Sequence, residues 1–125
     1  MRVVLITLLV ALTVVAHAEA ETDCEGDIGS TLYQACVLYK TISELDAELN
    51  VEYRRILDSH PKDRFPKENE LLVEAQRAWI RYRDKVCDFE DQAIGGAYSI
   101  SLMRCKARIT ENRLNEFIQI YGDKI

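Results

Sequence analysis

The sequence predicts an all-α protein, a small antiparallel three-helix bundle with two disulfides that follows a cleaved signal peptide. Three observations predict it. Glycine and proline occur only at 26, 29, 61, 66, 95, 96 and 122, which leaves three long uninterrupted stretches. Inside those stretches apolar residues recur every three or four positions, and no segment shows the short alternation of a strand. Four cysteines, Cys24, Cys36, Cys87 and Cys105, all lie beyond an apolar N-terminal run.

That run reads as an export leader over residues 1–18. Arg2 supplies a positive start, Val3–Val15 an apolar stretch of thirteen residues, and Ala16-His17-Ala18 the small-x-small pattern of a cleavage site. Cleavage after Ala20 is the alternative. Thirteen residues fall short of the about 20 needed to span a bilayer, so the expectation is a protein without a membrane span, periplasmic or secreted. Residues 19–125 suffice for one compact domain and are too few for two.

The first helix is expected from about Leu32 to Ser59. Ser30 and Thr31 offer capping oxygens, and Thr31 with Gln34 has capping-box spacing. Leu32, Cys36, Tyr39, Ile42, Leu45, Leu49, Tyr53 and Ile56 form its apolar stripe, and His60-Pro61 ends it. The second is expected from about Lys67 to Ile94, entered through Pro66, with Glu68 and Glu70 near the positive end of the helix dipole. Its stripe reads Leu71, Ala75, Trp79, Tyr82, Val86, Phe89 and Ala93, and Gly95-Gly96 stops it. The third is expected from about Ser99 to Tyr121, with Leu102, Met103, Ile109, Leu114, Phe117, Ile118 and Tyr121 inward and Gly122 as its C′ residue.

Four cysteines in an exported chain read as two disulfides, with three connectivities open. In the bundle, Cys24 sits on an arm beside Cys36 of the first helix. Folding about Gly95-Gly96 brings Cys87 and Cys105 to similar heights. The favoured pairing is therefore Cys24–Cys36 with Cys87–Cys105. Zinc is disfavoured, because it wants closely spaced ligand pairs and the one histidine beyond the leader, His60, stands next to Pro61.

The chain carries 16 basic and 21 acidic side chains, and without Arg2 the mature balance is −6. That excludes the basic footprint of a nucleic-acid binder and suits a cationic partner. No HExxH, GxSxG, P-loop or GxGxxG occurs. The chain therefore reads as non-enzymatic, with no catalytic residue, cofactor or metal assigned.

Two candidate surfaces stand out, one of them from charge patterning. Glu44, Glu48 and Glu52 repeat every four residues on the first helix, and Arg77, Arg81 and Lys85 do so on the second. At about 100° per residue most of these face solvent; only Glu52 and Lys85 lie near the seams. The glutamate stripe is thus a candidate partner surface. The loop Gly95-Gly96-Ala97-Tyr98 is the other, since paired glycines allow close backbone approach and Tyr98 is an amphipathic anchor. Asp46, close to the first apolar stripe, needs a partner, and Arg113 is the expected one. Trp79 reads as core.

The run Cys36, Leu45-Asp46-x-x-Leu49-Asn50-x-x-Tyr53, Ala75-Gln76-Arg77-Ala78-Trp79-Ile80-x-Tyr82-Arg83-Asp84-x-x-Cys87, Gly95-Gly96, Cys105 and Thr110-x-x-Arg113-x-x-x-Phe117 resembles the LprI-like domain family. The resemblance covers about Cys24 to Tyr121. It implies exported, disulfide-bearing helical domains and inhibition of lysozyme, a cationic glycosidase, in accord with the acidic surface. The usual Gly-Gly-Ser reads Gly-Gly-Ala here. Asp46, Asn50, Tyr53, Gln76, Trp79, Tyr82 and Arg113 match the family pattern and read as framework. The expectation is an exported binding protein whose partner is a lysozyme, blocked at its cleft. The alternatives are an accessory envelope protein that binds another periplasmic protein, and a periplasmic immunity protein.

Overall fold

The computed structural model describes residues 24–122; the leader expected at 1–18 and the alternative cleavage point lie outside them. Three helices make up the described chain: α1 (Thr31–Ser59), α2 (Pro66–Ile94) and α3 (Ile100–Tyr121), with one turn of 3₁₀ helix at Ala97–Ser99 before α3. The chain runs up, down and up. Helix α3 is the shared partner, packing along both α1 and α2, whose backbones scarcely approach one another. No described helix is long and apolar enough to cross a membrane.

Local chemistry explains the boundaries. Ser30, not Thr31, caps α1, its hydroxyl accepting from the Tyr33 amide at 3.1 Å. Gln34 donates instead to the Gly29 carbonyl, so the expected Thr31–Gln34 box is not formed. Pro66 opens α2, where its missing N–H costs nothing. The turn before it is closed by Asn69 Nδ2 donating to the His60 carbonyl at 2.8 Å. Gly122 keeps right-handed helical angles (φ −59°, ψ −42°), so it does not supply the left-handed C′ cap expected of it.

The core divides along the axis. Leu49, Ile56, Leu114 and Phe117 are buried at the α1–α2 turn end, with Leu45, Tyr53, Leu72, Trp79 and Tyr121 packed on them. Toward the other end, Cys87, Cys105 and Ile109 form a smaller buried cluster. Both expected disulfides are present, Cys24–Cys36 and Cys87–Cys105.

The stripes need correction. Leu32 and Tyr39 on α1 and Ile118 on α3 are exposed. The larger error is on α2, where Leu71, Ala75, Tyr82, Phe89 and Ala93 are exposed, Tyr82 at 60% and Phe89 at 71%; the buried residues are Gln76 and Cys87. The disulfide decides the rotation of this helix. Cys87 has to face α3, and residues four and eleven positions before it, Arg83 and Gln76, share that face at 3.6 residues per turn. Partners for two polar side chains cost less than turning the cysteine away.

Candidate functional site

The arm, the start of α1, the α2–α3 loop and the start of α3 meet at one end of the bundle, the tip. Its loop is held in an uncommon backbone. Gly95 and Gly96 have φ of 71° and 129°, and Tyr98 and Ser99 follow at 56° and 49°, both left-handed. Each non-glycine in that region costs roughly 1–2 kcal/mol, and two in succession persist only where the surroundings over-determine them. Three restraints do so. Cys87 and Cys105 tie the helices on either side of the loop. The Gly95 amide donates to the Asp91 carbonyl at 2.7 Å. Finally, Ser99, at the N-cap position of α3, makes no capping bond, and Asp91 replaces it. Its Oδ1 accepts from the Leu102 amide at 3.2 Å and from the Ser101 hydroxyl, which also lies 3.2 Å from the Gly95 carbonyl.

The arm is fixed in the same way. Cys24 bonds Cys36, the Ser30 amide donates to the Asp27 carbonyl at 2.9 Å, and the Asp27 carboxylate accepts from the Gly29 amide at 3.2 Å. Arg104 of α3 donates to Gln34 of α1 at 3.3 Å. On one side of that contact lies a cleft of about 410 Å³ between Thr31, Glu90, Ile94, the loop and Ser101. On the other lies a smaller one of about 180 Å³ lined by Ile28, Tyr33, Val37 and Leu38. Glu90 bonds Arg108 at 2.8 Å on its rim. Ile28, Leu32, Ile94 and Tyr98 are exposed around this end, an apolar surface on a rigid, covalently braced frame.

The glutamate stripe lies elsewhere. Glu44 is thirteen residues along α1 from Thr31, about 20 Å by helical rise, so the two candidate surfaces are not one site. Glu44 and Glu48 are exposed; Glu52 is half-buried and pairs with Arg55 on its own helix at 2.9 Å. Lys85 reaches Asp88 on its own helix at 4.0 Å, so neither of the two residues near the seams pairs across the hairpin.

The motif residues of the middle form a polar seam. Asp46 pairs with Arg83 at 2.8 Å, not with Arg113. The same Arg83 nitrogen donates to the fully buried Thr110 hydroxyl at 3.1 Å. Arg113 instead donates to Gln76 at 3.3 Å and pairs with Glu116 at 2.6 Å. The correction follows from the rotation of α2: once Cys87 faces α3, Arg83 stands between Asp46 and Thr110, and Arg113 meets Gln76. Trp79 is half-buried between the two guanidiniums, 5.1 Å from Arg83 and 6.0 Å from Arg113, with Arg113 also 4.4 Å over Phe117. Tyr53 is half-buried, whereas Asn50 and Tyr82 are exposed and lie outside the seam. Arg83 is the residue the sequence reading missed. Its position four residues before a bridging cysteine was the available signal.

Fold and tip together define the class: a disulfide-braced helical domain presenting a fixed apolar surface at one end. The chain belongs to the LprI family; the model described as lysozyme inhibitor LprI matches residues 22–117. It is also similar to an uncharacterized protein of Rhizobium meliloti (strain 1021), 31% identical, over 92% of this chain and 91% of that one. No solved structure matches.

Proposed function

We propose that this chain is an exported, non-enzymatic lysozyme inhibitor whose tip enters and blocks the substrate cleft of the enzyme. One observation carries the reading: the Gly95–Ser99 loop is held in a strained, covalently braced conformation that leaves Tyr98 and Ile94 facing outward. A loop already fixed in one shape loses little conformational freedom on binding. Aromatic anchors of this kind carry much of the energy of protein interfaces. Membership of the inhibitor family and the acidic balance support the choice of a cationic enzyme as partner. Glu44 and Glu48, about 20 and about 26 Å from the tip, then act at a distance, raising the rate of encounter more than the lifetime of the complex. Inhibition needs no bond making by the protein itself; it works by excluding the polysaccharide.

A cell-wall lysis assay tests this with several lysozyme types. Purified oxidised protein should inhibit at least one of them at micromolar concentration. Tyr98→Ala should weaken inhibition through faster dissociation, and Glu48→Lys should slow association and flatten its salt dependence. Absence of inhibition across all types at micromolar concentration defeats the proposal. Inhibition that survives Tyr98→Ala unchanged removes the loop from the contact.

A further inference from the structure

Helix α2 has a second apolar face that the bundle leaves outside. Leu71, Ala75, Ala78, Tyr82 and Phe89 are all exposed and step by four, three, four and seven residues, which sets them in one line along the helix. Glu68 and Lys85, also exposed, complete that seam in heptad spacing. One flank of the seam, Leu72, Trp79 and Val86, is half-buried within the bundle. The other flank carries Lys67, Glu74, Arg81 and Asp88, all exposed, every seventh residue and alternating in sign. Among the described residues, the only ion pair made by these six charged side chains is the 4.0 Å contact of Lys85 with Asp88.

The alternation selects the occupant. We propose that a second copy of this chain docks on this face, its α2 antiparallel to the first about a two-fold axis near Arg77. Antiparallel helices bring the same flank of both copies together, and reversal sets each positive residue against a negative one. Lys67 of one copy meets Asp88 of the other, and Glu74 meets Arg81, each pair made twice. The same register lays Tyr82 on Leu71 and Ala75 on Ala78, where small side chains allow close approach, and sets Lys85 opposite Glu68. A parallel arrangement places the charged flank against the apolar one and makes none of these pairs. The contact strip is about 33 Å long and about 10–12 Å wide on each copy, roughly 330–400 Å² a side and below the size of a standard specific interface. The dimer is therefore weak and is loosened by salt. Its two tips point to opposite ends, and both remain free.

Sedimentation equilibrium of the oxidised protein, from low micromolar to near-millimolar concentration, tests the proposal alongside far-UV circular dichroism to establish folding. The wild-type mass should rise toward twice the monomer. Ala78→Glu and Arg81→Glu should each weaken association by about tenfold or more, and Glu74→Arg combined with Arg81→Glu should restore it. A wild type monomeric throughout, a dimer indifferent to Ala78→Glu, or a double variant as weak as the single one overturns the proposal. Lysozyme inhibition by Ala78→Glu should match wild type, so this result and the role of the tip are read separately.

Discussion

Removing the Cys87–Cys105 bond tests whether the tip works because it is pre-organised. The bond closes 18 residues, which in the chain-entropy treatment corresponds to about 3 kcal/mol at 25 °C. Both cysteines are enclosed, at 0% and 1% exposure, so Cys87→Ala with Cys105→Ala also leaves small voids worth on the order of 1 kcal/mol. The summed loss of about 4 kcal/mol lowers the melting midpoint of a domain this size by roughly 15–30 °C. Cys24→Ala with Cys36→Ala is the control. That bond closes 12 residues, again about 3 kcal/mol, yet its loss leaves the α2–α3 loop braced. The two variants are thus similar in stability and differ at the loop. Without its brace the loop also samples other backbone conformations, and binding has to restore Tyr98 and Ser99 to the left-handed region at about 1–2 kcal/mol of backbone entropy each, a loss of ~30-fold or more in affinity. Urea unfolding followed by circular dichroism measures the first quantity. Inhibition titrations at a temperature where both variants are folded measure the second. Equal inhibition by the two variants, or a stability loss below about 1 kcal/mol on removing Cys87–Cys105, refutes the reasoning.

Three further outcomes are expected. Tyr98→Asn should hold or raise stability, by about 1 kcal/mol or less, because asparagine tolerates the left-handed region; inhibition should fall by about tenfold or more with the ring gone, and a lower melting midpoint would contradict the strain. A double-mutant cycle of Asp46→Asn with Arg83→Met, read by urea unfolding, should show coupling of about 1 kcal/mol, discounted because the Asp46 side chain is 40% exposed. The corresponding cycle with Arg113→Met should show almost none. Asp91→Ala should cost about 1–2 kcal/mol as the loss of a helix cap and speed amide exchange at Leu102, while unchanged exchange there would show that the carboxylate does not hold the end of α3.

Helix boundaries are legible in the sequence because local groups set them: the Ser30 hydroxyl, Pro66 and Gly95 act within a turn of their own positions. The faces of α2 are less legible, because its apolar residues outnumber those the bundle needs. Leu71, Tyr82 and Phe89 mark a true stripe, but not the buried one. The covalent demand on Cys87 outweighs that periodicity and draws Arg83 and Gln76 inward with it. The partner of Asp46 is not legible for the same reason, since Arg83 meets it only through the rotation of α2. The loop is legible as a turn from Gly95-Gly96. Its left-handed Tyr98 and Ser99 are not, for neither residue type asks for that conformation; a distant disulfide and the Asp91 carboxylate impose it.

The placement of the cross-links bears on why the tip is apolar outside. At the α1–α2 turn end the bundle is held by Leu49, Ile56, Leu114 and Phe117 with no covalent bond, while at the tip the buried apolar cluster is little more than Cys87, Cys105 and Ile109. Burying an aliphatic or aromatic side chain contributes about 1.5–3 kcal/mol. Two disulfides at about 3 kcal/mol each therefore replace the burial of two to four such residues. Leu32, Ile94 and Tyr98 are of the size and number that a tip without cysteines would have to turn inward to be stable. Because the cross-links supply that stability, these side chains stay outside in fixed positions. The exposed apolar surface is on this argument a consequence of oxidation. Reduction should cost the tip its shape before it costs the other end its fold, which ties the proposed inhibition to an oxidising compartment, the one expected from the four cysteines.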